Sequence, residues 1–328
     1  MAGTRTTVAC FGEALIDFLS LPAGHGQPRR FLEQPGGAPA NVAVGVAQLG
    51  GHSRFIGMLA QDMFGDALLA ALRAHGVDTS QVRRTDAAPT ALAFVSLDAT
   101  GERSFSFYRP PAADLLFRTE HFDAASFADV AVFHVCSNSL THADIAQATL
   151  HGMRTAAAAG ALVSIDLNLR PSLWPRDVDP RPLLWQALEQ AVLVKLSREE
   201  LEALAVDGDT AAVVRRLLAG TAQAVVVTDG AAPVRWWTRN RHGEAATFPV
   251  DTLDTTAAGD AFVAGLLWRL VERGIDAAAL ASAFDDDALR TDLLRHATAA
   301  GALATTRHGA FVAMPDADAV HTLIETHA

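Results

Sequence analysis

The feature that most constrains this chain is a regular alternation of short apolar runs and amphipathic stretches after residue 129. Between the apolar runs, apolar side chains recur at helical spacing. This β-α-β-α order predicts an α/β fold, with a mostly parallel sheet covered by helices on both faces. The predicted strands are 130–135, 161–165, 191–194 and 224–228, and the predicted helices are about 141–159, 180–190, 197–205 and 209–219.

Polar residues follow three of these predicted strands at corresponding positions. Asp166, Lys195 and Thr228 stand at the strand ends, and Arg170 and Gly230 lie a few residues further on. The carboxyl ends of parallel strands meet at one edge of the sheet, where α/β proteins bind ligands. Any one of these residues alone is explained by a surface loop or salt bridge, but three strand ends together predict a ligand cleft.

A second feature is the start of an apolar helix near the C-terminus, where residues 251–267 read DTLDTTAAGDAFVAGLL. The spacing predicts that Ala257–Asp260 is the first turn. Such a turn presents free amides and the positive end of the helix dipole, so it can hold an anion. Asp260 beside these amides suits a general base in phosphoryl transfer. Taken alone, Asp260 is explained equally well as a helix cap.

Two glycines precede a clear helix in the N-terminal part, in GGAPANVAVGVAQLGG. Gly36 and Gly37 would let a ligand approach the backbone closely, and Asn41 offers a donor and an acceptor. Asp17 follows a short apolar strand, 7–11, and could hydrogen-bond sugar hydroxyls. A structural turn for the glycines and a solvated loop for Asp17 are the open alternatives.

Composition and charge exclude several classes of protein. The 328 residues are 50% hydrophobic and 19% charged, which is typical of a globular chain. The net charge of −11 disfavours nucleic acid and anionic membranes as partners. The sequence contains no long uncharged apolar run that would predict a membrane span or a signal peptide. Cys10 and Cys136 lie in apolar runs, which is typical of buried free thiols. These observations predict a cytoplasmic protein. Neither a P-loop nor a histidine spacing typical of a transition-metal site occurs.

Two sequence motifs and a third segment together resemble one family. The run D-T-T-A-A-G-D ending at Asp260 is similar to the C-terminal signature D-T-T-G-A-G-D of the ribokinase-like (PfkB) carbohydrate kinases, with Ala257 in place of a glycine. The GGAPAN run resembles the sugar-binding signature of that family. The run IDLNLR, which ends at Arg170, is similar to the D-x-N-x-R segment of its fructokinases and 2-keto-3-deoxygluconate kinases.

The resemblance implies a three-layer α/β/α ribokinase-like fold over a single kinase domain, 1–328. A small β-sheet lid would be formed by about 13–35 and 84–113. In the lid, the segment SFSFYRPPAADLLF resembles that of bacterial fructokinases, which places Arg109 and Asp114 at the edge of the sugar pocket. Dimerisation of two copies through their lids is a family-level expectation.

The resemblance also implies roles for single residues. For catalysis it implies Asp260 as base, with Arg170 and the backbone of Ala257, Ala258 and Gly259 around the phosphoryl group. For the substrate it implies Asp17, Gly36, Gly37, Asn41, Arg109 and Asp260. For the nucleotide it implies Lys195, Thr228, Gly230, Gly259 and Thr298. A K⁺ site, made mostly of backbone carbonyls, would involve Asp254, Thr256, Ala304, Arg307 and Gly309.

The function implied is ATP-dependent phosphorylation of a sugar hydroxyl, with Mg²⁺ bound to ATP. Fructose, giving fructose 6-phosphate, is the expected substrate, because the lid segment and the GEALIDF start resemble fructokinases. The alternatives are a 2-keto-3-deoxygluconate kinase, which shares D-x-N-x-R, and a ribokinase. A non-catalytic sugar-binding regulator is a further alternative, to which Ala257, Arg198 and Pro233 point because they depart from the family pattern.

Overall fold

The structure is a computed structural model that describes residues 5–21, 28–97 and 103–327; side chains are described at these positions except 96–97 and 103–105. The strands are β1 (Thr7–Phe11), β2 (Leu15–Leu21), β3 (Arg30–Gly36), β4 (His52–Ala60), β5 (Val82–Thr85), β6 (Leu92–Leu97), β7 (Arg103–Tyr108), β8 (Val130–Cys136), β9 (Leu162–Asp166), β10 (Leu193–Ser197), β11 (Ala224–Asp229), β12 (Ala232–Trp237) and β13 (His242–Ala245).

The helices follow the predicted apolar periodicity closely. They are α1 (Ala38–Gln48), α2 (Met63–Ala74), α3 (Ala143–Ala158), α4 (Arg181–Leu188), α5 (Arg198–Leu204), α6 (Thr210–Ala219), α7 (Ala258–Glu272), α8 (Leu280–Asp285), α9 (Asp287–Ala304) and α10 (Ala317–Thr326). Within the described ranges, no helix has both the length and the apolar character needed to cross a membrane.

The large sheet has the strand order β13-β12-β11-β10-β9-β8-β1-β4-β5. Neighbours from β11 through β5 pair in parallel, and β12 and β13 add an antiparallel edge. The prediction of a mostly parallel sheet is confirmed. Successive connections run from β1 to β4 in one direction and from β8 to β9 in the other. The chain therefore reverses direction between β1 and β8, which is where ligands bind in such sheets.

Two apolar cores cover the two faces of this sheet, and β1 contributes to both because its side chains alternate. Ala9 and Phe11 pack in a core with residues of α3 to α6. Val8 and Cys10 pack in the other core with residues of α1, α2, α7, α8 and α9. The three-layer α/β/α arrangement follows from this alternation, and the layer that contains α1 and α7 carries the candidate site.

A smaller sheet has the order β3-β2-β6-β7. The predicted hairpin is confirmed, since β6 and β7 pair in an antiparallel register, while its turn at 98–101 lies outside the described residues. The predicted lid segments, about 13–35 and 84–113, contain these four strands except for Gly36, the last residue of β3. At the start of the second segment, Arg84 and Thr85 pair with Leu59 and Ala60 in the large sheet.

Candidate active site

The candidate site lies at the carboxyl ends of β1, β8, β9 and β10, facing the start of α7. The loops after β1 and β3 approach the same region, because Gly37 has its backbone against that of Glu13. A Cβ on Gly37 would lie 2.6 Å from the Glu13 carbonyl oxygen, and its φ of 106° is one that other residues rarely adopt. This close approach brings Asn41, in the first turn of α1, over the sheet end.

The start of α7 differs from the predicted turn by one residue. The helix begins at Ala258, and Ala257 is its N-cap in the left-handed conformation, with φ 57° and ψ 11°. The prediction that Ala257 belongs to the first turn is therefore wrong by one residue, and this alanine has the positive φ that glycine adopts more easily. The amide of Ala258 donates to the Thr255 carbonyl at 3.3 Å, and that of Ala261 to the Ala257 carbonyl at 2.8 Å. The amides of Gly259 and Asp260 have no acceptor within the helix, as expected for a first turn.

Asp260 is held by a partner far away in the chain. Asn41 Nδ2 donates to Asp260 Oδ2 at 2.7 Å, and α7 has no side-chain cap. Because the carboxylate bonds to Asn41 rather than to its own helix, a simple capping role does not account for it. Burial raises the pKa of Asp260, while Asn41, Lys195 and Arg170 oppose that rise and Glu13 adds to it. A raised pKa suits a base that takes a proton near neutral pH.

A buried ion pair borders the start of α7. Lys195 Nζ lies 2.9 Å from Asp166 Oδ2, with side-chain exposures of 9% and 4%. A Cβ on Gly259 would lie 3.3 Å from Lys195 Nζ, so the ammonium lies beside the candidate anion site. Burial would lower the pKa of Lys195, but the negative charges of Asp166, Glu200 and Asp260 raise it, so the amine stays protonated. The structure thus brings Asp166, Lys195, Gly259 and Asp260 together.

Glu200, rather than the neighbouring Arg198, faces this cluster. The Glu200 carboxylate accepts from the amides of Leu169 and Ser197, each at 2.7 Å. Burial and the charge of Asp166 raise the pKa of Glu200, while Lys195 lowers it. Glu200 therefore fixes the loop after β9 against the end of β10.

Arg170 is exposed at the end of the loop that follows β9. Its positive charge lowers the pKa of Asp260 and of Asp166, although burial has the larger, raising effect on both. Arg170 is thus an exposed positive charge whose field reaches both carboxylates.

Asp17 lies in β2 next to the paired strand end. A Cβ on Gly36 would lie 2.3 Å from Asp17 Oδ2, so glycine at this position leaves room for the carboxylate. In the described part of the chain, the buried Asn41 Oδ1 has no hydrogen-bond partner. The structural reading of the two glycines is thus supported, and they also bring Asp17 and Asn41 to one side of the site.

Arg109 and Asp114 form a buried ion pair instead of an open pocket edge. Arg109 Nε and Nη2 donate to Asp114 Oδ2 at 2.8 and 2.6 Å, and the side chains are only 2% and 3% exposed. Nη2 also donates to the Asn138 carbonyl at 3.0 Å. The donors of Arg109 are thus engaged within the protein, and its place at the edge of the sugar pocket stays a prediction.

Sequence reasoning missed two buried polar residues here, Glu13 and Asn138. Asn138 Nδ2 donates to Glu13 Oε1 at 2.9 Å. Burial raises the pKa of Glu13, and Arg109 opposes this. The available signal for Glu13 was a carboxylate directly after an apolar strand, which is the same signal that selected Asp17.

The expected nucleotide side has a different character. Thr228 is half-buried at the end of β11 and Gly230 is exposed just after it, with φ 54°. Arg198 pairs with Asp229 between them at 3.0 Å. Thr298 does not join this group through its hydroxyl, because the residue is buried in α9 and donates to the Leu294 carbonyl at 2.8 Å. The contact of Thr298 with nucleotide stays a prediction.

Two of the residues expected at the cation site, Thr256 and Gly309, contact a third, Asp254. Its buried carboxylate accepts from the amides of Thr256 at 2.7 Å and Gly309 at 3.2 Å. The turn is also joined to the end of α9, since the Asp254 amide donates to the Thr305 carbonyl. Ala304 is buried there, whereas Arg307 is exposed. No group of three His, Cys, Asp or Glu side chains with metal-site geometry occurs among the described residues.

Comparison with known proteins shows which family the chain belongs to. The family model for pfkB family carbohydrate kinases matches residues 5–317. Fructokinase-1 of Zea mays is 42% identical over 99% of this chain and 99% of its own length. The crystal structure of a Xylella fastidiosa fructokinase with bound ATP is 55% identical, with a TM-score of 0.95 over 98% of this chain and 99% of that one.

A more distant structure contains the sugar. A Vibrio cholerae fructokinase with fructose, ADP and calcium ion is 31% identical, with a TM-score of 0.84 over 98% of this chain and 99% of that one. A double mutant of the same protein was crystallised with fructose, ADP and potassium ion. The family match over nearly the whole sequence, together with these relatives, shows that the chain is a phosphotransferase belonging to the pfkB family of carbohydrate kinases.

Proposed function

We propose that this kinase transfers the γ-phosphoryl group of ATP to the primary hydroxyl of fructose, giving fructose 6-phosphate. The observation that carries the proposal is the Asp260 carboxylate, which is fixed by Asn41 at 2.7 Å beside the free amides of α7. The match to fructokinases, with fructose and ADP bound in one of them, supports the choice of sugar.

Asp260 acts as the general base. Its raised pKa makes it a better proton acceptor than an ordinary aspartate, and the Asn41 hydrogen bond orients one carboxylate oxygen so that the other is available. As the fructose oxygen attacks the γ-phosphorus, its proton moves to Asp260. The bond to the departing ADP oxygen breaks, and ADP leaves with the electron pair.

The negative charge of the transferred group is met by fixed donors. The amides of Gly259 and Asp260 point from the positive end of α7, and the Ala257 cap sets their direction. Lys195 adds a buried positive charge beside Gly259, and Arg170 adds an exposed one. Ala258 contributes less, because its amide already donates to Thr255.

The sugar binds on the β1 and β2 side. Asp17 and Asn41 offer acceptors to sugar hydroxyls, and Gly36 and Gly37 allow the backbone to approach the ring. The buried Asn41 Oδ1 has no partner among the described residues and suits a hydroxyl donor. On this proposal, Arg109 acts on the sugar through the position of its neighbours, because its own donors are engaged.

The nucleotide binds on the β10 and β11 side, where Lys195, Thr228, Gly230 and Gly259 approach its phosphates. Magnesium accompanies it. The buried Asp166 Oδ1 makes no hydrogen bond within the described residues, and a carboxylate oxygen of this kind suits a magnesium ion that keeps most of its waters. Bound magnesium offsets phosphate charge. A potassium ion suits the backbone oxygens around Asp254, Thr256, Ala304, Arg307 and Gly309.

We also propose that the small sheet is a lid on a single kinase domain, 1–328, and that two copies associate through it. Its aromatic residues support this assembly: the rings of Phe31 and Tyr108 lie 5.4 and 5.2 Å from that of Phe94, and the two residues are 37% and 65% exposed. The buried free thiols of Cys10 and Cys136 support a reducing cytoplasm.

The test is ADP release from Mg-ATP with fructose, ribose, glucose and 2-keto-3-deoxygluconate, with and without K⁺. Fructose should be preferred. Asp260→Asn should lower turnover by about 10²–10⁴-fold while fructose binding, measured by calorimetry, persists. The matched control is Asp318→Asn, which changes the same group in the first turn of α10. Normal turnover by the Asp260 variant contradicts the mechanism, and sugar binding without any product favours a regulator.

A further inference from the structure

The chain passes between the large and small sheets at four places. These crossings are residues 12–14 after β1, residue 37 after β3, residues 86–91 before β6 and residues 109–112 after β7. Any rotation of the small sheet against the kinase body must act through these segments. Polar contacts between these four segments therefore determine how firmly the Gly36–Gly37 loop is held.

Glu13 lies in the first crossing; its backbone lies against Gly37 in the second, and its side chain contacts Ala38, the next residue. Its Oε1 accepts from the Ala38 amide at 3.3 Å and from Asn138 Nδ2 at 2.9 Å. The Cys136 thiol lies 3.6 Å from Oε2. Glu13 is only 2% exposed, so losing these partners would leave a buried polar group unsatisfied.

Asn138 extends this connection to the last crossing. While its side chain donates to Glu13, its carbonyl accepts from Arg109 Nη2 at 3.0 Å. Arg109 is in turn fixed by Asp114. Three of the four crossings thus meet at one buried cluster, and the remaining crossing is held by Asp62, which accepts from the amide and hydroxyl of Thr90.

The connection reaches the catalytic base through one turn of helix. Ala38 is the first residue of α1, and the Asn41 amide donates to the Gly37 carbonyl at 2.8 Å. Asn41 then donates to Asp260. A shift of Ala38 would move Asn41 and change the direction of the hydrogen bond that orients the base.

We propose that Glu13 is a positioning residue for phosphoryl transfer: through Ala38 and Asn138 it holds the Gly36–Gly37 loop and the start of α1 where Asn41 aligns Asp260. This inference rests on the proposed function of the site. It differs from a contact with substrate, because Glu13 acts through other residues.

The charge of Glu13 provides a second connection. The charged and titratable groups that act on Glu13 or face it are Arg109, Asp114, Cys136 and Asp260. Burial raises the pKa of Glu13, Arg109 lowers it and Asp114 raises it. In its ionised form, Glu13 raises the pKa of Asp260. Removing that charge should therefore make Asp260 easier to deprotonate.

The variants Glu13→Leu and Glu13→Gln separate these effects. Leucine keeps the volume but accepts no hydrogen bond, so kcat/KM for fructose should fall by about 100-fold, as expected for a misplaced reacting group. The KM for ATP should stay within about twofold, since the nucleotide side is untouched. Glutamine keeps an acceptor oxygen and should restore most of the activity. Its acidic limb in the kcat/KM profile should lie at lower pH than that of the wild type.

The matched control is Glu244→Leu, an exposed glutamate on the edge strand β13, which should behave as the wild type does. Equal rises of KM for fructose and ATP in Glu13→Leu would indicate general disruption and overturn the proposal. If the leucine variant fails to fold, the glutamine variant decides: an unmoved acidic limb overturns the proposal.

Hydrogen exchange at the Ala38 amide tests the inference without turnover. Exchange should be faster in Glu13→Leu and near the wild-type rate in Glu13→Gln, while the Glu244 control should not differ. An unchanged Ala38 rate in the leucine variant, or an increased rate in the glutamine variant, would overturn the positioning role. A wild type that phosphorylates no sugar would contradict the proposed function, and the Ala38 measurement would still decide this inference.

Discussion

The proposed sugar side and the proposed nucleotide side of the site are built differently. On the sugar side, buried hydrogen bonds join segments far apart in the chain, as between Asn41 and Asp260 and between Glu13 and Asn138. On the nucleotide side, Gly230 is exposed and Arg198 pairs with Asp229 at side-chain exposures of 42% and 36%. The polar groups of the first side are therefore held in place without a ligand. The groups of the second side are local backbone groups and charged side chains in contact with water.

This difference matches what each ligand demands. A sugar is distinguished by the positions of its hydroxyls, so the acceptors that contact it must be held in place. Phosphates carry enough charge to be attracted by helix amides and cations with less exact placement. Lys195 and Asp166 lie between the two sides. They are buried, like the hydrogen-bonded groups of the first side, and charged, like Arg198 and Asp229 of the second.

Removing the charge of Lys195, which lies between the two sides, should produce the largest effect. Lys195→Met leaves Asp166 buried without its partner, which should destabilise the protein by about 3–5 kcal/mol. Chemical denaturation measures the loss. In the control Lys195→Met/Asp166→Asn, both charges are absent and much of the stability should return. If the single variant unfolds at the wild-type midpoint, the pair does not have the structural role described above.

Arg170→Gln tests whether an exposed cation serves the reaction alone. We expect kcat to fall by about 10²–10³-fold, because a donor to the transferred group is lost. Fructose binding should not change, because the fixed sugar side does not depend on Arg170. Steady-state kinetics and calorimetry measure the two quantities, and Arg176→Gln, at a nearby exposed arginine, is the control. A loss of fructose binding equal to the loss of kcat would remove the distinction between the two sides.

Asn41→Ala tests the fixed side through pH. The lost hydrogen bond favours the ionised form of Asp260, so the pKa of Asp260 should rise further. Because the base must be deprotonated, the acidic limb of the kcat/KM profile should move to higher pH. At neutral pH we expect a loss of about 10–100-fold, which corresponds to one charge-assisted hydrogen bond. Gln48→Ala, at the other end of α1, should leave the profile unchanged.

Arg198→Gln should have the smallest effect. Its ion pairs with Asp229, Glu202 and Glu199 are exposed, and such pairs contribute at most about 1 kcal/mol. The unfolding midpoint and the KM for ATP, within about twofold, should stay near wild type. A tenfold rise in KM for ATP would instead make Arg198 a phosphate contact and show that the nucleotide side is more ordered than its exposure suggests.

The fold could be predicted from the sequence because the apolar periodicity of each strand and helix is a local pattern. The strands β8 to β11 and the helices α3 to α6 were predicted within a few residues, since buried strands and amphipathic helices have distinct patterns. The edge strands β12 and β13 were missed. The strand β13 has four residues and no large apolar side chain, so it leaves no strand pattern in the sequence. Pairing defines both strands, of β12 with β11 and of β13 with β12.

The site was accessible where a residue follows a strand end or opens a helix, as Lys195 and Asp260 do. Three features required the folded structure. The hydrogen bond from Asn41 to Asp260 spans most of the chain, and Arg109 is turned inward by Asp114, five residues away. The Thr298 hydroxyl bonds to its own helix. In each case the residue type is compatible with a ligand contact, and tertiary packing decides whether the side chain is available.

The left-handed alanine at the start of α7 has a consequence for binding thermodynamics. The left-handed conformation costs alanine about 1–2 kcal/mol. Alanine also has fewer accessible backbone conformations than glycine in a flexible chain, so it loses less conformational entropy when it is fixed. The surrounding structure must therefore fix this conformation. The Asp254 amide donates to the Thr305 carbonyl at the end of α9, and the Asp254 carboxylate accepts from the Gly309 amide. On the proposed function, a phosphate group that binds at Gly259 and Asp260 meets a loop that loses little conformational entropy, so more of its attraction to the amides is expressed as affinity.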